Sequence, residues 1–276
     1  MPRICILTDS TAQFTHPNFL GHDRVYVIPF KIQTKSMPGD KPVPGKTQDK
    51  ILFPPSKEEL NRLYSQLGRE YDTIFMLTIS SQLNPVIRVS LSASLQDNNH
   101  ANIIVMDSQT TGIGLGLLVQ AAAAAASRGI QAEEIEKMIR VCIPRIYMLL
   151  CIPELTYLAH SGYIEYSQAL VGEMMGMLPI FTLEEGRLTP MEKVRTPRHL
   201  YESFLEFINE FDSPAHIAFM RGASQISTRT RPIRQYVQET FPHTPYTEHV
   251  MSPHLAALFG TQSMALVIME KPDQAV

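Results

Sequence analysis

The sequence predicts an α/β protein: an N-terminal parallel sheet covered by helices, followed by a smaller α+β part with a mixed or antiparallel sheet. Three observations carry this. The apolar runs "ICILTDS", "VYVIPFKI", "TIFMLTISS", "NIIVMDS" and "RIYMLLCIP" are rich in Ile and Val and lack polar alternation, as parallel strands buried on both faces do. Longer amphipathic stretches at 57–67, 85–98, 113–128 and 132–143 fall between them, so strands and helices alternate with right-handed crossovers. After about residue 158 the grammar changes to hairpins and isolated helices. Two units follow, an α/β unit at 1–158 and an α+β unit at 159–276.

The elements can be justified in order. Residues 34–55 hold five prolines and two glycines and predict a long loop or cover rather than a regular element. The next helix has a legible start: in S-K-E-E, Ser56 is the N-cap and Glu59 closes a capping box. Asn84 followed by Pro85 predicts a second helix start, because proline at the first helical position loses an N–H that would have no partner. The alanine run 121–126 fills a helix. In "LPIFTLEEGRLTPMEKVR" two strands meet at Glu184 to Arg187, with Gly186 as the turn residue. A helix at 198–211, the strand "AHIAFM", a helix at 226–240 and the strand "QSMALVIME" complete the second unit.

Composition narrows the function classes. The formal charge of −3 and the scatter of Lys and Arg offer no basic field, which disfavours nucleic acid and anionic membrane. "MPRICILTDS" lacks the pattern of a secretory leader, and no apolar run approaches a membrane span, so a cytoplasmic protein without an integral anchor is expected. Cys5, Cys142 and Cys151 sit in apolar runs without C-x-x-C spacing and read as buried thiols.

Candidate chemistry collects at the strand ends. The first strand ends Thr8-Asp9-Ser10, the third Thr78-Ile79-Ser80-Ser81 and the fourth Asp107-Ser108, and parallel sheets bind ligands beyond the carboxyl ends of their strands. Hydroxyls beside a helix start suit an anion, and a carboxylate or phosphate is the expected ligand. Any one of Ser80, Ser81 and Asn84 could be only a cap; the three strand ends together favour a ligand site. Asp9 and Asp107 could form an acid and base pair of a small-molecule enzyme, but no third group with ligand spacing accompanies them, and capping is the preferred reading. "GIGLGLL" has the wrong glycine spacing for a dinucleotide loop and reads as close helix packing. His160 beside Ser161 lacks a nucleophile elbow, and the histidines show no i, i+4 metal pair. "ALVGEMMGMLPIF" is methionine-rich and apolar, consistent with core filling or an apolar ligand tunnel.

Taken together, "TDS", "LTISSQL", "VMDSQTTGIGLGLLVQAA" and "LTYLAHSGYIEYSQALVGEMMGMLPIFTLEEGRLTPMEKVRT" resemble, in order and spacing, the DegV family of bacterial fatty-acid-binding proteins over nearly the whole chain. The resemblance implies a non-catalytic carrier without cofactor or metal that binds a long-chain fatty acid between two domains and presents its carboxylate to a fatty acid kinase. It implies a head group at Ser80 and Ser81, with Asn84 and Ser10 beside them. The acyl chain would lie around Leu170, Val171, Met174 and Met175.

The departures from the family pattern bear on the ligand. T-I-S-S-x-L-S-G-T is here T-I-S-S-Q-L followed by Asn84, Pro85 and Val86, and T-S-Q-P-S is replaced by a segment beginning at Leu52. G-G-R-I becomes Ser161-Gly162-Tyr163-Ile164, and H-x-G-P-G becomes Leu258-Phe259-Gly260-Thr261-Gln262. Leu52, Tyr163 and Leu258 thus stand where threonine, arginine and histidine helpers are expected, and they join the pocket lining. Three outcomes follow: a fatty acid held mostly by its tail, a site retuned for a neutral or bulkier lipid, or a lipid binder whose kinase-facing surface has drifted so that it is no substrate carrier; a DegV-like scaffold with altered or lost lipid binding is the alternative reading.

Overall fold

The computed structural model describes residues 2–34, 50–96, 100–224 and 230–271. The first unit comprises β1 (Ile4–Asp9), β2 (Val25–Ile28), β3 (Lys31–Thr34), β4 (Lys50–Phe53), α1 (Lys57–Leu67), β5 (Thr73–Thr78), α2 (Val86–Ser94), β6 (Asn102–Asp107), α3 (Gly112–Ser127) and α4 (Ala132–Cys142). The remaining elements are β7 (Ile146–Cys151), α5 (Thr156–His160), α6 (Tyr166–Met174), β8 (Leu178–Glu184), β9 (Arg187–Val194), α7 (Pro197–Ile208), β10 (Pro214–Arg221), α8 (Arg231–Thr240), β11 (Tyr246–Val250), α9 (Pro253–Phe259) and β12 (Met264–Glu270).

The first sheet has the order β2-β1-β5-β6 and is parallel throughout, with Thr8 opposite Leu77 and Thr78 opposite Asp107. Every residue of β1 and β5 is buried, which accounts for their unbroken apolar runs. The second sheet has the order β11-β10-β12-β7-β8-β9; only β10 and β11 run parallel, and the other pairings are antiparallel.

Two strand expectations need correction. "RIYMLLCIP" was expected among the parallel strands, yet β7 lies antiparallel between β12 and β8, a strand that the division at 158 leaves with the first unit. Its two faces explain the misreading. Ile146, Met148 and Leu150 join one core cluster while Leu149 and Cys151 join another, so a two-sided central strand looks apolar whatever its direction. "VYVIPFKI" is in turn two strands, because Pro29 has no N–H for the ladder; β2 pairs with β1 while β3 turns away to pair with β4. β4 also corrects part of the predicted loop at 34–55, whose residues 35–49 lie outside the described residues.

Several local signals are obeyed. Glu59 N–H donates to Ser56 Oγ at 3.2 Å and Ser56 N–H to Glu59 Oε2 at 2.7 Å, the reciprocal capping box. The second helix begins at Val86, one residue later than expected, with Asn84 Oδ1 accepting from Val86 N–H at 3.0 Å. Its predicted end falls partly on residues 97–98, outside the described residues, as does the 226–229 start of α8. The three cysteines are buried and unpaired, and burial pushes the Cys5 and Cys151 thiols up to about 12. Among the described residues no helix is long and apolar enough to cross a membrane.

The two sheets share one core. Ile4, Ile6, Phe75 and Leu77 of the first, α3, and Met148, Leu150, Ala218, Met220 and Val267 of the second belong to a single apolar cluster. The central helix α3 is buried from Gly112 to Val119; Gly116 lies against the Gln13 backbone, and Gly112 and Gly114 against the side chains of Met220 and Ile146, the close packing expected from "GIGLGLL".

On the β10 and β11 side, His216 Nε2 meets Thr247 Oγ1 at 3.0 Å, and burial, followed by His249 and His16, holds the imidazole down to about 4. An unfolded histidine takes its proton near pH 6.5, the folded one only near pH 4. The unfolded chain therefore binds more protons across that window, and stability is complete above pH 6.5 and lost as pH falls toward 4. A melting temperature that declines from pH 6.5 to 4.5, with a flatter profile for His216→Gln, is the expected result. An identical slope in the variant would remove His216 as its source.

Candidate functional site

The parallel strands β1, β5 and β6 deliver Asp9, Thr78 and Asp107 side by side, and the turns beyond them lie along the carboxyl edge of the sheet. Asp9 is fully buried. Its Oδ1 accepts from Thr11 N–H at 3.0 Å and Thr11 Oγ1–H at 2.6 Å, and its Oδ2 from Ile79 N–H at 2.7 Å. Burial raises its pKa, opposed by those hydrogen bonds and by His254, whose Nε2 meets Phe30 O at 3.2 Å. Asp107 accepts from Ser81 N–H with both oxygens at 3.2 Å and from Gln109 N–H at 2.9 Å. Both aspartates therefore tie down turn amides, which favours the capping reading over an acid and base pair.

Ser80 turns out to be a structural link between the units. Its hydroxyl, fully buried, donates to Gly186 O at 2.6 Å at the tip of the β8–β9 hairpin and accepts from Gln82 N–H at 3.1 Å. The hairpin can present that carbonyl because Glu185 and Gly186 both have positive φ, 48° and 80°, as a tight two-residue turn requires. Tyr163 holds the same loop from the other side: its hydroxyl donates to Leu83 O. The 80–84 turn is thus clamped by two side-chain hydrogen bonds to the second unit, neither of which leaves a signal in local sequence.

The other expected head-group residues fare differently. Ser10 Oγ accepts from Phe30 N–H at 2.9 Å, and Asn84 caps α2. Ser81 is half-buried, and its N–H is held by Asp107. Sequence reasoning missed the buried hydroxyls of Thr8, Thr110 and Thr111, which lack partners among the described residues. The pair "TT" ahead of "GIG" was the available signal.

The expected pocket lining divides. Leu52 and Leu258 are buried in the shared core, and Tyr163 packs against it. Leu170, Val171, Met174 and Met175 lie on the outer side of α6 with exposures of 46, 56, 79 and 56%, because this short helix turns Ala169 inward.

The pattern of strand ends, clamp and hairpin spans the chain, and so does its kinship. A family model described as "Uncharacterised protein, DegV family" matches residues 3–271. The chain belongs to the DegV family. A DegV domain-containing protein of Staphylococcus aureus (strain COL) is 24% identical over 282 residues, covering 98% of this chain and all of the relative. Among solved structures, a fatty acid binding DegV family protein from Streptococcus agalactiae superimposes on this DegV chain with a TM-score of 0.82 at 20% identity, covering 98% of this chain and 100% of that one. The Streptococcus pneumoniae Fatty Acid Kinase (Fak) B3 protein loaded with linoleic acid matches with a TM-score of 0.80 at 16% identity, again over 98% and 100%. These likenesses establish the DegV fold over nearly the whole chain.

Proposed function

We propose that this DegV protein binds a long-chain fatty acid or related lipid between its two units and acts in the cytoplasm as a carrier that presents the head group to a fatty acid kinase, performing no chemistry itself. The observation that carries the reading is the end-to-end fold match to relatives described as fatty-acid-binding, one of them loaded with linoleic acid. Ser81 would offer its hydroxyl to the head group, while Ser80, Asn84 and Ser10 shape the turns around it. Leu52, Tyr163 and Leu258 would border the first part of the tail from the core side, and Leu170, Val171, Met174 and Met175 offer an apolar face that a bound chain would cover.

Tail burial dominates the energetics of such a site. At about 0.8 kcal/mol per buried methylene, ten methylenes contribute about 8 kcal/mol, against about 1.5–3 kcal/mol for a hydrogen bond to a charged head. The test is solvent extraction and mass spectrometry of protein purified after expression without added lipid. Close to one equivalent of a long-chain lipid is expected; protein that yields none, and takes up none when offered, would sink the reading. Formation of an acyl phosphate with a cognate kinase tests the carrier role.

A further inference from the structure

Helix α6 turns its small residues inward and its large apolar ones outward. Tyr166, Leu170, Val171, Met174 and Met175 are 46–79% exposed, whereas Ala169 is fully buried and Gly172 lies against the Leu155 side chain. At 3.6 residues per turn the five exposed side chains sweep about half the helix circumference over a length of about 14 Å, with Ser167 among them. Single exposed apolar residues are ordinary. Five contiguous ones on one short helix mark a contact surface.

The charge around this face has one sign. Between Arg145 and Arg187 the chain carries no Lys or Arg, but it carries Glu154, Glu165, Glu173, Glu184 and Glu185. Two of these bracket the face: Glu165 is the exposed N-cap of α6, and Glu173 stands in its last turn, which has no basic residue. A carboxylate there adds to the negative end of the helix dipole beside Met174 and Met175. Glu173 Oε1 accepts from Thr156 N–H at 2.8 Å, which offsets part of that charge. On the neighbouring strand Lys193 stands opposite Pro179, beyond the end of α6, and the His160 ring lies 5.9 Å from that of Tyr166 at the other edge.

These charges select the occupant. A second copy of the chain would bring the same acids against them, and an anionic bilayer would be repelled. One acyl chain is a single methylene wide and covers only a strip of a half-cylinder. A helix about 10 Å across covers most of it, and cations along its flanks would meet Glu165, Glu173 and the open carbonyl end of α6. Methionines suit such a contact because they adapt to irregular partners.

We propose that the outer face of α6 docks an amphipathic helix of a partner protein, apolar along the contact and basic at its flanks. The proposal stands apart from the lipid reading, which lipid extraction tests separately.

The test measures fluorescence anisotropy of a labelled leucine–lysine peptide of about 18 residues, amphipathic as a helix, against delipidated full-length protein at about 0.1 M salt. Its leucine–glutamate counterpart is expected to bind at least about tenfold more weakly, a gap that narrows at about 1 M salt. Val171→Ser combined with Met174→Ser should weaken the lysine peptide about tenfold or more. Glu165→Gln combined with Glu173→Gln keeps both acceptors and should weaken it severalfold. Hydrogen exchange should show protection on binding over residues 166–175. Equal binding of the two peptides, indifference to the Val171 and Met174 changes, or protection confined to another surface would overturn the proposal. So would dimerisation in sedimentation that those two changes abolish, or tighter binding to phosphatidylcholine vesicles than to the peptide. Loss of peptide binding on adding one equivalent of hexadecanoic acid would make the acyl chain the occupant, overturning the proposal and leaving lipid binding intact. The two peptides on the parent protein decide the matter even where a variant fails to fold.

Discussion

Gly116→Ala is expected to lower the melting temperature by about 6–12 °C, corresponding to a loss of about 3 kcal/mol in a chain of this size. A Cβ on Gly116 would lie 1.8 Å from Gln13 O and 2.6 Å from Gln13 C, backbone atoms of the segment that follows β1. Those atoms cannot retreat cheaply. Gln13 N–H donates to Gly112 O at 3.0 Å, and the Gln13 side chain joins Val250 O and Ser252 N–H of the second unit at 2.9 and 3.0 Å. Moving the segment would therefore disturb the start of α3 and the contact between units together. Differential scanning calorimetry gives the answer, and a variant that melts within 2 °C of the parent would show that α3 and this segment are not in contact.

The second large effect is expected for Gly186→Val, at about 3 kcal/mol. With φ at 80°, a β-branched residue meets left-handed strain of about 1–2 kcal/mol, and loss of the Ser80 hydrogen bond adds about 1 kcal/mol. A Cβ there would also stand 2.4 Å from Ser80 Oγ and 3.1 Å from Gln109 Cα. Because Ser80→Ala removes the same contact, the double variant should cost clearly less than the two singles combined. Denaturant unfolding of the four proteins tests this; strict additivity would mean that the hairpin tip and Ser80 are independent.

The two sites differ in how far sequence could foresee them. Gly186 was legible as a turn residue because a hairpin signal is local: two strands, a short connection and a residue that accepts positive φ. Its partner, 106 residues away, was not. Ser80 was read as a ligand contact on the strength of its place after a buried strand, and that place is right, but its hydroxyl is taken by the hairpin. Tyr163 reads in the sequence as a replaced arginine and a pocket-lining residue, and nothing in "SGYI" says that its hydroxyl will meet Leu83 O. That the hydroxyls of Thr8, Thr110 and Thr111 lack partners among the described residues could not be read from the strand-end position of the first or the "TT" pair of the others, because an unpaired atom is defined by everything that fails to reach it.

By itself the sequence determined what depends on neighbours along the chain: the buried strands β1 and β5, the existence of β6, the Ser56–Glu59 capping box, the helix start just after Asn84 and the β8–β9 turn. It also carried the family, through an ordered set of motifs that no single spacing could have supplied. Tertiary structure alone decided the direction of β7, the splitting of "VYVIPFKI" between two sheets and the clamping of the 80–84 turn by Tyr163 and Gly186. It also decided which hydroxyls are paired and which have no partner among the described residues. The reason is physical: periodicity and capping arise from interactions a few residues apart, whereas strand pairing and hydrogen-bond satisfaction depend on which distant surfaces meet once the two units share a core.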